Sequence, residues 1–190
     1  TGLASRAKLA QMILVSTMKT VYLDNVFFSA DAPAVAAPTP TKAAADVISL
    51  FSNAYTNRTV DTWSAVWDNA DVSDVSIAGN ATKKYSGLVF AGIEFTTATI
   101  DASTMTHFSF DLWTPDATAA PAEFKVKLVD FGANNAFGGG DDKEHELTFS
   151  ATTTPALATG NWVTFDLPLS AFTGLTTRRN LAQLIIVSAP

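Results

Sequence analysis

The sequence predicts an all-β protein, a two-sheet β-sandwich of jelly-roll type, and three observations carry that prediction. Four runs alternate apolar and polar residues with the period of two that sets one strand face on a core: HFSFDLW (107–113), EFKVKLVDF (123–131), HELTF (145–149) and WVTFDLPL (162–169). Turn-forming residues separate them: Asn80, Thr114–Pro115–Asp116, Gly132–Ala133–Asn134–Asn135, Gly138–Gly139–Gly140 and Thr159–Gly160–Asn161. No long stretch shows the 3.6-residue period of an amphipathic helix.

The elements follow in order. TVYLDNVFF (20–28) reads as a strand with both faces partly apolar, as do VISLF (47–51), GLVFAGIEF (87–95) and LAQLIIVS (181–188). Residues 29–43, SADAPAVAAPTPTKA, hold three prolines and no periodicity, and read as a linker of polyproline II character. TVDTWSAVWDNADV reads as a loop, Pro168 belongs at a strand end or edge, and LSAFTGL (169–175) as one helical turn or a loop. The total is eight or nine short strands in about 145 residues.

Composition narrows the class. Of 190 residues, 47% are hydrophobic, with 13 Phe and 4 Trp, enough for a substantial core. Only 16% are charged, against about 25% in an average globular protein. The net charge of −6 argues against nucleic acid and anionic membrane as partners. Without cysteine there are no disulfides, thiolate metal sites or cysteine nucleophiles. No run approaches the ~20 apolar residues of a membrane helix. No signal peptide is recognised, and Thr1 does not read as a native start.

The chain also repeats itself. GLASRAKLAQMILVS (2–16) and GLTTRRNLAQLIIVS (174–188) match at nine of fifteen positions. A repeat at that offset is a whole domain. The expected organisation is therefore 1–28, the closing strands of a preceding repeat or a donor segment; 29–43, the linker; and 44–190, a sandwich lacking its last strand. TVYLDNVFF would supply that strand, to its own chain or to a neighbour. A linker of ~15 residues at ~3.1 Å each reaches up to ~45 Å, so both routes are open.

Taken together, VISLFSNAYTNRTVDTWSAVW, IAGNATKKYSGLVFAGIEF, IDASTMTHFSFDLWTPD, KVKLVDFGANNAFGGGDDKEHEL, WVTFDLPLSAFTGL, LAQLIIVS and TVYLDNVFF resemble the jelly-roll carbohydrate-binding modules appended to secreted bacterial glycoside hydrolases, laminarinase-like β-glucanases among the hosts. The resemblance covers 44–190 and 20–28, and departs from that pattern in placing the closing strand first. It implies a secreted or cell-surface bacterial module binding polysaccharide, with a β-glucan such as laminarin favoured. It also implies a structural Ca²⁺ near the ends of the first and last strands, with Asp24 matching a ligand position and Asn53 and Asp130 as co-ligands.

Sugar recognition needs flat apolar surfaces and fixed polar groups. His107, Ser109, Asp111 and Trp113 share one face of their strand, and Lys125 and Lys127 on the following run are expected beside them. That face is equally well read as an ordinary solvated one, and Trp113 as a packing residue. Trp63 and Trp67, with Tyr55 at the edge, suit stacking at a sheet end or plugging the sandwich; Trp162 reads as structural. Asp141 and Asp142 in FGGGDDKEHE can wrap Ca²⁺ or stay solvated. Nothing marks a pair of catalytic carboxylates, and no nucleophile or metal-hydrolase motif is present, which argues against an enzyme. Two function classes remain: a non-catalytic polysaccharide-binding module, or a structural or adhesive subunit that assembles by exchanging residues 20–28.

Overall fold

The computed structural model describes residues 11–13, 15–18, 20–26 and 32–189. The chain divides into two compact units, Thr1–Ala30 and Asp31–Pro190. In the first unit the described residues adopt neither strand nor helix, so the strand expected from residue 20 is absent through residue 26. Residues 27 and 28, and residues 2–10 of the first repeat copy, lie outside the described residues.

The second unit is an all-β, two-sheet sandwich. Among the described residues its strands are β1 (Asn69–Ile77), β2 (Asn80–Glu94), β3 (His107–Leu112), β4 (Glu123–Asp130), β5 (Lys143–Phe149), β6 (Val163–Pro168) and β7 (Leu181–Ala189). One sheet runs β1-β2-β7-β4-β5 and the other is the pair β3-β6, all antiparallel. Alternation does the sorting. Phe124, Val126 and Leu128 of β4, Leu184 of β7 and Ile93 of β2 face inward and meet Phe165 and Leu167 of β6. Phe110 stacks on Phe165 at 4.7 Å between ring centres, lies 6.1 Å from Phe124, and Phe149 meets Phe165 edge-on at 4.8 Å. Such aromatic pairs add about 0.5–1.5 kcal/mol each beyond their buried area.

β1 escaped the sequence pattern because NADVSDVSI is polar on both faces. It is an edge strand, where Asp71 and Asp74 discourage pairing with another chain. It joins β2 through Ala78 and Gly79, at φ 48° and 85°, the backbone of a two-residue hairpin turn. VISLF does not form a strand. Ser49 Oγ donates to Asn57 Oδ1 at 2.7 Å and Ser52 N to the same oxygen at 2.9 Å, curling the segment into a loop with a single bridge, Ser49 to Asn57. Residues 169–175 begin with a single 3-10 turn, Leu169–Ala171.

Two further expectations are corrected. β3 and β4 belong to opposite sheets, so Lys125 and Lys127 do not lie beside His107 and Asp111. Each strand turns its apolar side to the shared core, which directs the two polar faces away from each other. The expected linker is also part of the module from residue 32 onward. Trp162 Nε1 donates to Val35 O at 2.9 Å, Tyr55 OH donates to Lys42 O at 2.9 Å, and Lys42 Nζ sits 3.5 Å from Asp166. Proline fixes the backbone of this strap in advance, so docking costs little further entropy.

Candidate functional site

The outer face of the five-stranded sheet carries the most developed surface. Its rows follow from register: Glu94, Gln183, Val129 and Glu144; then Gly92, Ile185, Lys127 and Glu146; then Phe90, Val187, Lys125 and Thr148. Four strands at ~4.8 Å spacing make it about 14 Å across.

Trp67 covers one side of this face. The chain from Asp61 runs beside β2, with Asp61 N and Glu94 O at 2.7 Å and Ala65 N and Gly92 O at 3.0 Å, before β1 begins. Asp68 holds the intervening turn: it accepts from Ser64 Oγ at 2.9 Å, Ala65 N at 2.8 Å and Gly92 N at 3.0 Å. The turn returns the Trp67 ring onto Gly92, where a methyl group would overlap ring atoms Cη2 and Cζ2. The ring stacks beside Phe90 with 21° between planes, and its Nε1 donates to Glu94 Oε1 at 3.2 Å. Glu94 Oε1 also accepts from Gln183 Nε2 at 2.9 Å. The ring is held against Gly92 and through its Nε1, yet the residue remains 45% exposed. Across the floor of Ile185 and Val187, Lys127 pairs with Glu144 at 3.2 Å, and Lys125 with Glu123 at 3.6 Å and Glu146 at 3.9 Å.

The residues singled out from sequence fall in separate places. Trp67 and Lys125 share this face. Trp63 is half-buried at the margin of the core, edge-on to Phe51 at 5.5 Å, with Lys83 Nζ 5.0 Å above its ring. Its carbonyl accepts from Tyr85 OH at 2.7 Å, and burial, followed by the charge of Asp68, pushes the Tyr85 pKa upward. Tyr55 anchors the strap. His107 and Asp111 lie on the outer face of β3, where His107 Nδ1 meets Thr106 Oγ1 at 2.9 Å and Thr164 Oγ1 donates to Asp111 at 2.5 Å. Trp113 and Trp162 line a cleft of about 350 Å³ together with Pro33, Val35 and Pro38 of the strap.

The expected calcium ligands each make hydrogen bonds within the protein. Asp24 accepts from Asn25 N at 2.7 Å, and Asn53 Nδ2 donates to Asn80 at 2.6 Å. Asp130 is 0% exposed and accepts from Gly132 N, Thr177 Oγ1 and Asn180 N at 2.8–2.9 Å. Three donors thus meet one buried carboxylate, as a buried polar group requires. Asp141 accepts from Asn134 N at 3.1 Å and Nδ2 at 2.8 Å, and Asp142 from Gly138 N at 2.7 Å. The Asn134 backbone bond holds the Asp141 carboxyl below its usual pKa. Among the described residues no three His, Cys, Asp or Glu side chains gather as metal ligands.

No family model, curated protein or solved structure matches the chain. The resemblance to carbohydrate-binding modules therefore rests on the motifs alone.

Sequence reading missed Phe90, Gly92, Glu94, Gln183 and Asp68. One signal was available: Gly92 interrupts the apolar run 87–95, and a glycine inside a strand marks a close approach by another group.

Proposed function

We propose that this protein is a non-catalytic polysaccharide-binding module of a secreted or surface-attached protein, with a β-glucan of the laminarin type as its ligand. The observation that carries the reading is Trp67, packed against Gly92 yet 45% exposed, with its indole N–H held by Glu94. A pyranose offers an apolar C–H face to such a ring, while Lys125, Lys127, Glu144 and Glu146 lie within the same face to meet hydroxyls. Those carboxylates are engaged by lysines, and Glu94 by Trp67 and Gln183, which supports binding over acid–base catalysis.

Titration with laminarin, followed by calorimetry, tests this. Trp67→Ala should weaken binding at least about 10-fold, as expected when a central aromatic anchor is lost. Trp63→Phe, at the margin of the core, should bind as the parent does. Equal affinity of the parent and Trp67→Ala would overturn the reading.

One observation favours a second reading, the structural or adhesive subunit. Val21, Leu23 and Val26 are each more than half exposed in a β-prone run, while β3-β6 is a sheet of only two strands among the described residues. Exchange of residues 20–28 between copies would then give concentration-dependent oligomers in light scattering, abolished by Leu23→Lys. A monomer at every concentration would refute it.

A further inference from the structure

At one end of the sandwich a cavity of about 380 Å³ is lined by Ser103, Thr176, Thr177, Arg178, Arg179 and Asn180, with Gly132 at its rim. It lies outside the Trp67 face, and its chemistry differs: two guanidinium groups, three hydroxyls and an amide. Its walls come from three loops, which the structure ties together. Asp130 takes hydrogen bonds from Gly132 N on one wall and from Thr177 Oγ1 and Asn180 N on another. Asn180 Nδ2 returns a bond to Gly132 O at 2.7 Å, and Ala102 N donates to Arg178 O at 2.7 Å, which joins the loop carrying Ser103. A cavity held this way is organised before any ligand arrives.

Arg178 lines the cavity, and its Nε is itself buried and has no hydrogen-bond partner. A buried N–H without an acceptor is costly, and a charged one more so. Among the described residues neither Arg178 nor Arg179 forms an ion pair within 4.0 Å. Asp101 is the acidic neighbour of Arg179, but its carboxylate is bonded to Ser103 N at 2.9 Å. The internal repeat adds a separate observation. Arg6 stands in register with Arg178, and Ser5, another hydroxyl, with Thr177.

We propose that this cavity is a second binding site, specific for an oxyanion, the carboxylate or sulfate ester of an acidic polysaccharide, with Arg178 as its fork-shaped donor. Guanidinium groups bind such oxyanions through two parallel N–H bonds. The polysaccharide part of the proposal rests on the function argued above; the oxyanion part does not.

Calorimetry at constant low salt with three probes tests both parts: laminarin, laminarin partially sulfated, and laminarin with its primary hydroxyls oxidised to carboxylates. The parent should bind one or both charged forms about 10-fold more tightly than the neutral one. Arg178→Gln should remove that preference while keeping affinity for neutral laminarin, and Arg178→Lys should retain part of it. Trp67→Ala should do the reverse. Arg179→Gln, at an exposed position, provides a second reduction of the preference if Arg178→Gln melts early. Equal affinity of the parent for all three probes overturns the oxyanion site and leaves glucan binding standing. A preference that survives in both Arg178→Gln and Arg179→Gln overturns it too, and assigns the effect to charges outside the cavity. If charged forms bind through Arg178 and neutral laminarin does not, the glucan reading falls and the site stands. If no polysaccharide binds, sulfate and glucuronate are titrated against the labelled protein. Amide shifts over Thr176–Asn180 that vanish in Arg178→Gln sustain the site, and their absence overturns it.

Discussion

The two copies of the repeat match at nine of fifteen positions, and over residues 11–13, 15 and 16, where the first copy is described, their structures differ. Gln183–Ser188 lies in the central strand of the larger sheet, paired with β2 on one side and β4 on the other. Gln11, Ile13, Val15 and Ser16, its counterparts, have no regular structure. Gln183 is 9% exposed and bonded to Glu94, and Leu184 is in the core, whereas Ile13 is 77% and Val15 93% exposed. The lesson is that QxIxVS is not a strand by itself. Its β-branched residues favour extended backbone by roughly 1 kcal/mol at most, less than the entropy of ordering them. Two ladders and an apolar core supply the remainder.

The largest test of that comparison substitutes matched positions. Leu184→Ala should cost about 2–5 kcal/mol in urea unfolding, because it opens a cavity beneath β7. Met12→Ala, the same register position in the first copy, should stay within about 0.5 kcal/mol, since Met12 is mostly exposed. Similar losses at both positions would show that the first copy is packed as the second is.

The strap over residues 32–43 repeats the lesson on a smaller scale. Its composition reads as a free linker, and specific partners hold it in place. Trp162→Phe removes the donor to Val35 O and should cost about 1 kcal/mol, with faster proteolysis near Pro33–Pro38. Unchanged cleavage would mean that apolar contact alone keeps the strap down.

The smallest expected effect is that of pH. Asp166 has its pKa held below the ordinary carboxylate value, first by its bond from Ser109 and then by the charges of Lys42 and His107. Its contribution is complete above about pH 4 and is lost as pH falls through the lowered folded value. Lys42→Met should therefore reduce stability by a few tenths of a kcal/mol at pH 7, with the difference from the parent vanishing near pH 2. A difference that persists in acid would point to lost packing of the lysine stem.

The candidate site was partly legible. Trp67 and Lys125 stood out by residue type, and Gly92 by its place inside an apolar run. Glu94, Gln183 and Asp68 did not, because what they do depends on strands that meet only across the sheet. The same reason undid the expected platform of His107, Asp111 and Lys125: alternation says that residues share a strand's face, and nothing about which strands are neighbours.

By itself, then, the sequence determined the all-β class, the inward faces of β3 to β6 and the turns between most of the strands, because the period of two and the turn residues are local properties. Only tertiary structure decided that β7 sits at the centre of its sheet, that the Pro/Ala segment docks on Trp162, and that Trp67 lies on Gly92. Each of those depends on contacts between residues far apart in the chain, and the two unlike fates of one repeated segment show that such contacts outweigh local preference.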